Sequence, residues 1–286
     1  MIKKIKVLPQ FFLLSIVLLV FFNIQAQDDL SEKISKNSKI TYLDLLQQIF
    51  PDVNKDGKSQ KTNEIRISAD SDEVQTYQEP MQLSVSNSNW ITTEKGRRLR
   101  LNIKVRGEDH NNFDWGELNL IALFDNSANP QLLDVVDVSS DRENYYSGEI
   151  SVNPKLNLTM YEFSHLNAGE DFHYYAFFQV ENDEINQTLE ELPYLYTGTT
   201  CKGQMDETGK ISTLPNNQTD YRDIIFKIKI TYKRFAADCQ TVRSKTSKNF
   251  TLRMSWRNGK YRYADNGAEL KRIQREEKRL GFGKDE

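Results

Sequence analysis

The stretch "RLRLNIKVR", residues 98–106, alternates between polar and apolar side chains along its whole length. Successive side chains of a β-strand point to opposite faces, so a period of two predicts a strand with one buried face. The apolar face would carry Leu99, Leu101, Ile103 and Val105, and the polar face would carry Arg98, Arg100, Asn102, Lys104 and Arg106. We therefore expect a half-buried strand, and a sheet of which it is part.

The same period recurs on both sides of this stretch. The segments that show it include "MQLSVS" at 81–86, "ELNLIALFD" at 117–125, "LLDVVDV" at 132–138 and "DIIFKIKITYKRF" at 223–235. A further segment, "DFHYYAFFQV" at 171–180, is apolar on both faces, which is typical of a central strand. Polar, turn-forming clusters separate these segments. The sequence therefore predicts a mainly β protein with antiparallel, sandwich-like sheets.

A β-hairpin is the clearest local prediction, in "NFTLRMSWRNGKYRYA" at 249–264. Asn258-Gly259 favours a two-residue type I′ turn, which pairs Arg257 with Lys260. One face of the hairpin would carry Met254, Trp256, Tyr261 and Tyr263, and the other would carry Arg253, Arg257, Lys260 and Arg262. The aromatic face needs a cover, because it cannot stay exposed to water.

An amphipathic helix is predicted directly after the hairpin, in "GAELKRIQREEKRL" at 267–280. Either Asp265 or Asn266 could cap its start, and Gly281 stands where helices favour glycine at their end. Its apolar side chains are Leu270, Ile273 and Leu280. We expect this helix to pack on the aromatic face of the hairpin.

A short helix is also predicted near the N-terminus, in "ITYLDLLQQIF" at 40–50. Thr41 can cap its start, and Pro51 ends it because the residue before proline disfavours helical geometry. The preceding residues, 27–39, are polar and show no periodicity.

The first 26 residues have the pattern of a secretory signal peptide. Lysines at 3, 4 and 6 precede the apolar run at 11–22, and Ala26 suits cleavage. The alternative is a retained membrane anchor, but the run is shorter than the roughly 20 apolar residues of a bilayer span. We therefore expect an exported protein, periplasmic or extracellular and bacterial in its leader, with no transmembrane segment after cleavage.

These signals divide the chain into four parts. They are a signal peptide at 1–26, a polar leader with a short helix and loop at 27–62, an antiparallel β domain at 63–200, and a strand–hairpin–helix region at 201–286. The last two parts could belong to a single domain. The weakest join, 198–220, is rich in Gly, Thr and Asn and is interpreted as a linker or a long loop.

Two cysteines, Cys201 and Cys239, are present in the whole chain. In an oxidising compartment a single pair of thiols predicts one disulfide. Two separate buried thiols are the alternative. A zinc site is disfavoured, because there is no CxxC and the chain has only 3 histidines.

The loop "PDVNKDGKSQKTNE" at 51–64 resembles the first half of an EF-hand or dockerin-type calcium loop. Asp52, Asn54 and Asp56 fall at the first three ligand positions, and Gly57 stands at the sharp turn. The second half departs from the pattern, because Asn63 occupies the place of the bidentate Glu. The resemblance implies weak calcium binding at most, and an ion-free Asx-rich turn is the alternative. No other cofactor is expected.

Candidate catalytic residues are few. His165 and His173 lie on neighbouring predicted strands and could share a pocket with Glu170, Asp171 and Tyr175. Paired carboxylates of a glycosidase could also come from Glu117, Asp125, Asp134 and Asp137, although the sequence singles out no pair. Nucleophile motifs such as GxSxG, HExxH and SxxK do not occur. A catalytic role therefore has no positive support from the sequence.

The charges are distributed unevenly along the chain. Residues 222–280 contain 17 Lys and Arg against 6 Asp and Glu, whereas residues 27–221 contain 17 against 33. The alternation of the predicted strands places seven cations on one sheet face, namely Lys227, Lys229, Lys233, Arg253, Arg257, Lys260 and Arg262. We call this set the basic face. It could bind a polyanion or an acidic partner, or it could complement the acidic part of the chain.

These observations favour an exported, non-catalytic binding or interaction protein of the cell envelope. An extracellular hydrolase that acts on a glycan or a peptide through carboxylates is the alternative. The mature chain, 27–286, is slightly acidic as a whole, and this balance indicates no nucleic-acid partner.

Overall fold

The computed structural model describes residues 29–107, 117–139, 143–153, 156–167, 170–258 and 260–282. Within these ranges the chain forms two helices and fifteen strands, and the strands make two sheets. The prediction of a mainly β, antiparallel protein with a helix near each end is confirmed. The predicted signal peptide lies outside the described residues. Neither helix of the described part is long and apolar enough to cross a bilayer.

The first sheet follows the helix α1 (Tyr42–Leu46). Its strands are β1 (Lys58–Ser59), β2 (Ile65–Arg66), β3 (Val74–Gln75), β4 (Met81–Thr93), β5 (Gly96–Gly107), β6 (Glu117–Phe124) and β7 (Leu132–Asp137). They lie in the order β1-β4-β5-β6-β7-β2-β3, and every pair is antiparallel except β2–β7. The long strands β4, β5 and β6 form the centre of this sheet.

Helix α1 begins where the sequence predicts. The hydroxyl of Thr41 accepts the backbone N–H of Asp44, and the Asp44 carboxylate accepts the N–H of Thr41, which completes a capping box. Leu45, Leu46 and Ile49 are fully buried and pack against the apolar face of the first sheet. The helix and the turn after it therefore cover one side of this sheet.

The predicted strand at 98–106 lies within β5, but the prediction of a half-buried strand is wrong for its middle. Its apolar side chains are buried as expected, and they pack under α1. The middle of its polar face is also buried, since Arg100 is 1 % exposed and Asn102 is fully buried, whereas Arg106 at its end is exposed. The reason is that the second sheet covers this face, and the alternation of the sequence cannot distinguish a covering sheet from solvent.

The neighbouring strand β6 is buried on both faces along almost its whole length. Leu120, Ala122 and Phe124 point toward the layer that contains α1. Ile121 and Leu123 belong to a second cluster, which they share with Tyr161, Phe163 and Phe178 of the other sheet. The first sheet is thus the middle of three packed layers.

The second sheet contains the rest of the strands. They are β8 (Glu143–Asn153), β9 (Leu156–Asn167), β10 (Glu170–Glu181), β11 (Glu184–Thr200), β12 (Gly203–Leu214), β13 (Asp223–Phe235), β14 (Val242–Arg257) and β15 (Lys260–Tyr263). Their spatial order follows the chain, and every pair is antiparallel. Bulges in β8 and along the β10–β11 pair break the register, and bulges bend strands and increase twist.

The second sheet is curved, so that its first strand contacts the start of β13. The backbone N–H of Arg222, just before β13, donates to the carbonyl of Val152 in β8 over 2.7 Å. A core cluster joins Val152 and Leu158 to the apolar residues of β13, which include Ile224. The second sheet therefore encloses a core of its own, to which both its early and its late strands contribute.

The C-terminal helix α2 (Ala268–Leu280) packs on that core through Ile273, with Leu270 and Leu280 beside it. The Asp265 carboxylate accepts the backbone N–H of Glu269 over 2.8 Å, so Asp265 caps the helix from two residues before the N-cap position. The hairpin before it has the predicted register, with Arg257 opposite Lys260 and Met254 opposite Tyr263. The predicted packing of helix on hairpin is confirmed.

The segment at 198–220 is not the linker or loop that its composition predicts. Residues 203–214 form the strand β12, which pairs with β11 and β13. Its outward side chains are polar except for Leu214 at its end, and of its inward side chains Met205 is buried and Ile211 is partly buried against the core. The boundary predicted at 200 falls at a turn inside the second sheet, whereas the chain passes from one sheet to the other between 137 and 143.

The predicted disulfide between Cys201 and Cys239 is confirmed. Cys201 lies in the turn between β11 and β12, and Cys239 lies in the turn between β13 and β14. Their Cα atoms are 4.5 Å apart. The bond therefore ties two neighbouring turns together at one end of the sheet.

Removing this bond should destabilise the protein. In the chain-entropy model a closed loop of this size, with a sequence separation of 38 residues, contributes about 3–4 kcal/mol to the free energy of unfolding. We expect Cys201→Ser/Cys239→Ser to lose about that much in chemical denaturation. Alkylation without reductant, followed by intact-mass measurement, should modify no thiol in the parent protein. Two alkylated thiols would contradict the assignment.

Candidate functional site

The calcium-like loop is a hydrogen-bonded turn. The side-chain oxygen of Asn54 accepts the backbone N–H groups of Asp56 and Lys58 over 2.9 and 3.0 Å. The Asp52 carboxylate accepts the Ser59 hydroxyl over 2.5 Å, and this hydrogen bond is the main reason why the pKa of Asp52 is lowered. Two of the three proposed ligand side chains thus have partners within the turn.

Gly57 fits this turn without any reference to an ion. Its φ of +76° is left-handed, and a Cβ there would come within 2.6 Å of the Leu83 carbonyl. Its own carbonyl accepts the N–H of Leu83 and attaches the turn to β4. No cluster of three or more His, Cys, Asp or Glu residues suited to a metal occurs in the described part of the chain. Calcium binding by Asp52, Asn54 and Asp56 stays a prediction.

The predicted histidine pocket forms only in part. His173 lies between two carboxylates, with Nδ1 3.4 Å from Glu162 and Nε2 3.2 Å from Asp171. Glu170 is three residues before His173 in β10, so its side chain points to the opposite face of the sheet. There it accepts the Tyr196 hydroxyl over 3.0 Å. His165 pairs with Phe172 through the backbone, but its side chain is outside the described part.

The four scattered carboxylates do not form a pair. Glu117 contacts Arg106 and Lys104, and Asp134 binds Arg66. Asp125 accepts two backbone N–H groups in the turn after β6. Asp137 accepts the N–H of Ser139, and its pKa is raised by burial. Each of these side chains therefore has a role in the fold.

The seven predicted cations of the basic face follow one side of β13, β14 and β15. The cross-strand pairs place Lys227 opposite Thr251, Lys229 opposite Asn249 and Arg257 opposite Lys260. Arg262, a further member, is opposite Ser255 on the same side.

Two members of the basic face form ion pairs with other described residues. Lys233 lies 3.0 Å from Asp206. Arg253 binds Asp223, which is fully buried, and donates to it from Nε over 2.6 Å. Removing one partner from a buried carboxylate is strongly destabilising. Arg253 is therefore a structural residue, and its substitution cannot test ligand binding alone.

A residue that the sequence did not single out belongs beside the basic face. Lys210 of β12 is the direct cross-strand neighbour of Lys227, and Lys229 is two residues further along β13. None of these three lysines has a carboxylate partner within the described residues. Like charges directly opposite one another in a sheet are destabilising. The strand pairing that reveals Lys210 could not be read from the sequence, because β12 was interpreted as a loop.

A second cationic surface lies between α2 and β14. A groove of about 520 Å³ is lined by Lys248, Asn249, Phe250, Arg272, Arg275, Glu276 and Arg279. Lys248 binds Glu276 over 2.5 Å, and the guanidinium of Arg272 lies 5.9 Å from the centre of the Phe250 ring. The sequence predicted the helix, but it did not predict that the helix would form a groove with a strand.

A pair of acidic side chains lies between α2 and β12, namely Glu277 of the helix and Glu207 of the strand. Glu207 of β12 is 1 % exposed, and burial together with the neighbouring Glu277 raises its pKa to about 9. Burial also raises the pKa of Glu277. The two carboxyl groups share a hydrogen bond in a poorly solvated site, where they cannot both stay ionised. Glu207 therefore holds a proton at neutral pH.

Glu207→Gln should stabilise the protein at alkaline pH. The folded-state pKa of about 9 is above the ordinary value of 4.5, so the folded protein binds the extra proton between these limits. The stability that this protonation provides is complete below 4.5 and is lost as the pH rises through 9. The variant should melt at a higher temperature than the parent near pH 9, with a difference that shrinks toward pH 5 in thermal denaturation. A lower melting temperature at every pH would contradict this.

A comparison of the chain with protein-family models, curated proteins and solved structures finds no significant match. The function must therefore be inferred from the surfaces described above.

Proposed function

We propose that the protein is an exported, non-catalytic binding protein of the cell envelope that takes an anionic ligand on its basic face. The observation that carries this proposal is the lysine cluster of Lys210, Lys227 and Lys229. Three cations on adjacent strands that have no carboxylate partner among the described residues repel one another, which is a cost that a ligand of opposite charge would relieve. The lysines at 227 and 229 are exposed.

Two features support export. The leader at 1–26 has the pattern of a signal peptide. The Cys201–Cys239 disulfide suits an oxidising compartment such as the periplasm or the extracellular space.

The alternative, an extracellular hydrolase, is favoured by one arrangement. His173 with Glu162 and Asp171 on either side resembles an acid–base group held in place by carboxylates. Both carboxylates contact the same imidazole, which leaves neither of them free to act as the nucleophile of a hydrolase. It therefore supports a hydrolase less well than the lysines support a binding surface.

The proposal is tested by retention of the protein on heparin and on anionic liposomes. Binding should weaken as salt is added, because exposed charges are screened beyond about 10 Å at 0.1 M ionic strength. Lys210→Glu/Lys227→Glu/Lys229→Glu should abolish retention. The free energy of unfolding should change by no more than about 0.5 kcal/mol per substitution, since all three are exposed positions that form no ion pair with a described residue.

A matched control changes the net charge equally at distant exposed positions. Lys36→Glu/Lys39→Glu/Lys55→Glu, in the leader and the loop, should leave retention nearly unchanged. If both triple variants lose retention to the same degree, net charge and not the basic face is responsible. If the parent is never retained, the proposed function is wrong.

A further inference from the structure

The strand β14 has an open edge over most of its length. It pairs with β13 from Val242 to Met254 on one side. On the other side it pairs with β15 only from Met254 to Arg257. No other strand of the described part pairs with this second edge. Residues 242–249 are all exposed.

The direction of the backbone groups follows from one hydrogen bond. The N–H of Ala264 donates to the carbonyl of Arg253 over 2.8 Å, so Arg253 points its backbone toward the β15 side. The N–H and C=O of a strand residue point to the same side and alternate along the strand. Thr251, Asn249 and Ser247 therefore direct their backbone donors and acceptors to the open edge.

The open edge runs into the groove between β14 and α2. Lys248, Asn249 and Phe250 provide the strand side of the groove, and residues of α2 provide the other. An extended chain that pairs with Asn249 would therefore lie in this groove. Its alternate side chains would point toward α2.

The groove has a surplus of positive charge. The Glu276 carboxylate already binds both Lys248 and Arg279. The hydrogen bond from Arg279, together with the contact from Lys248, lowers the pKa of Glu276 to about 2. Arg272 pairs with Glu269 of the same helix. Arg275 donates to the Lys271 carbonyl and contacts no carboxylate within the described residues.

We propose that this edge binds an extended, acidic segment of a partner polypeptide, which adds to the second sheet as a strand beside β14. The backbone groups of Asn249 and its neighbours supply strand-to-strand hydrogen bonds, and the cations of α2 supply contacts for acidic side chains. A polysaccharide or a nucleic acid would satisfy the cations but could not pair with the edge in this way. The site shares no residue with the lysine cluster of the proposed function.

The competing explanation is protective. Lysines and arginines on an exposed edge prevent strands of separate molecules from pairing. Under that explanation the edge binds no chain at all.

The proposal is tested with a labelled peptide of alternating Glu and Thr, measured by fluorescence anisotropy at low salt. The parent protein should bind it and should bind a peptide N-methylated at every second residue about tenfold more weakly, because the methyl groups remove the edge hydrogen bonds. Asn249→Pro should also weaken binding about tenfold, since the lost N–H points away from β13 and is needed only by an added strand. Asn249→Ala, which keeps that N–H, should bind as the parent does.

Charge variants separate this site from the basic face. Arg275→Glu should weaken binding about tenfold, whereas Lys229→Glu should have little effect.

Equal binding of both peptides and no effect of Asn249→Pro would overturn the proposal in favour of a groove for anions without strand addition. No peptide binding would support the protective explanation. A dimer of the parent protein that Asn249→Pro converts to a monomer would show that a second copy occupies the edge. If Asn249→Pro fails to fold, the comparison of the two peptides on the parent protein still tests whether the edge adds a strand.

Discussion

The polar face of β5 holds the two sheets together. Arg100 projects from the first sheet into the second, where it donates to Glu149 over 2.6 Å and to the hydroxyl of Thr159. Its guanidinium also lies 5.7 Å from the ring of Tyr146. Asn102 accepts the buried hydroxyl of Tyr161 over 2.9 Å. A charged side chain that is 1 % exposed is stable only with such partners, so the second sheet must stay where these groups meet.

Further ion pairs extend this contact along the edge of the interface. Arg98 binds Asp183 in the turn between β10 and β11, and Arg66 bridges Asp134 and the carbonyl of Ile185. Between these charges the two sheets share an apolar cluster. The early strands of the second sheet are thus fixed against the first, and the late strands with α2 lie beyond them with both cationic surfaces. The architecture therefore separates the part that stabilises the molecule from the part to which we assign binding.

The sequence predicted what depends on neighbours in the chain. The period of two located β5 and β13, the Asn258-Gly259 turn set the hairpin register, and Gly281 at the end of α2 has the left-handed φ of +88° that favours glycine. The same alternation also placed the basic face on one side. It could not reveal the partners of that face, because Asp223 and Arg253 meet through strand pairing across 30 residues of chain.

The failures have the same origin. Arg100 and Asn102 were expected on a solvent-exposed polar face, but they are buried. An exposed strand and a strand covered by a second sheet have the same alternating sequence when polar and charged side chains fill the interface. The strand β12 was missed because its outward residues are polar up to Leu214 and only Met205 among its inward side chains is fully buried and apolar. The groove between α2 and β14 depends on how a helix packs on a strand about 20 residues before it, which no local signal encodes.

The most direct test of this account is a double-mutant cycle on Arg100 and Glu149 in chemical denaturation. Burial alone raises the pKa of Glu149, but the Arg100 charge and three hydrogen-bond partners outweigh it, so the pKa is lowered and the pair is fully charged at neutral pH. Arg100→Met and Glu149→Gln should each lower the free energy of unfolding by about 3–5 kcal/mol, because each leaves the partner without its counter-charge. The double variant should lose less than the sum, with a coupling energy above about 1 kcal/mol that falls as the pH drops below the ordinary Glu value. Losses that add to within about 0.5 kcal/mol would contradict the claim that this contact holds the sheets together.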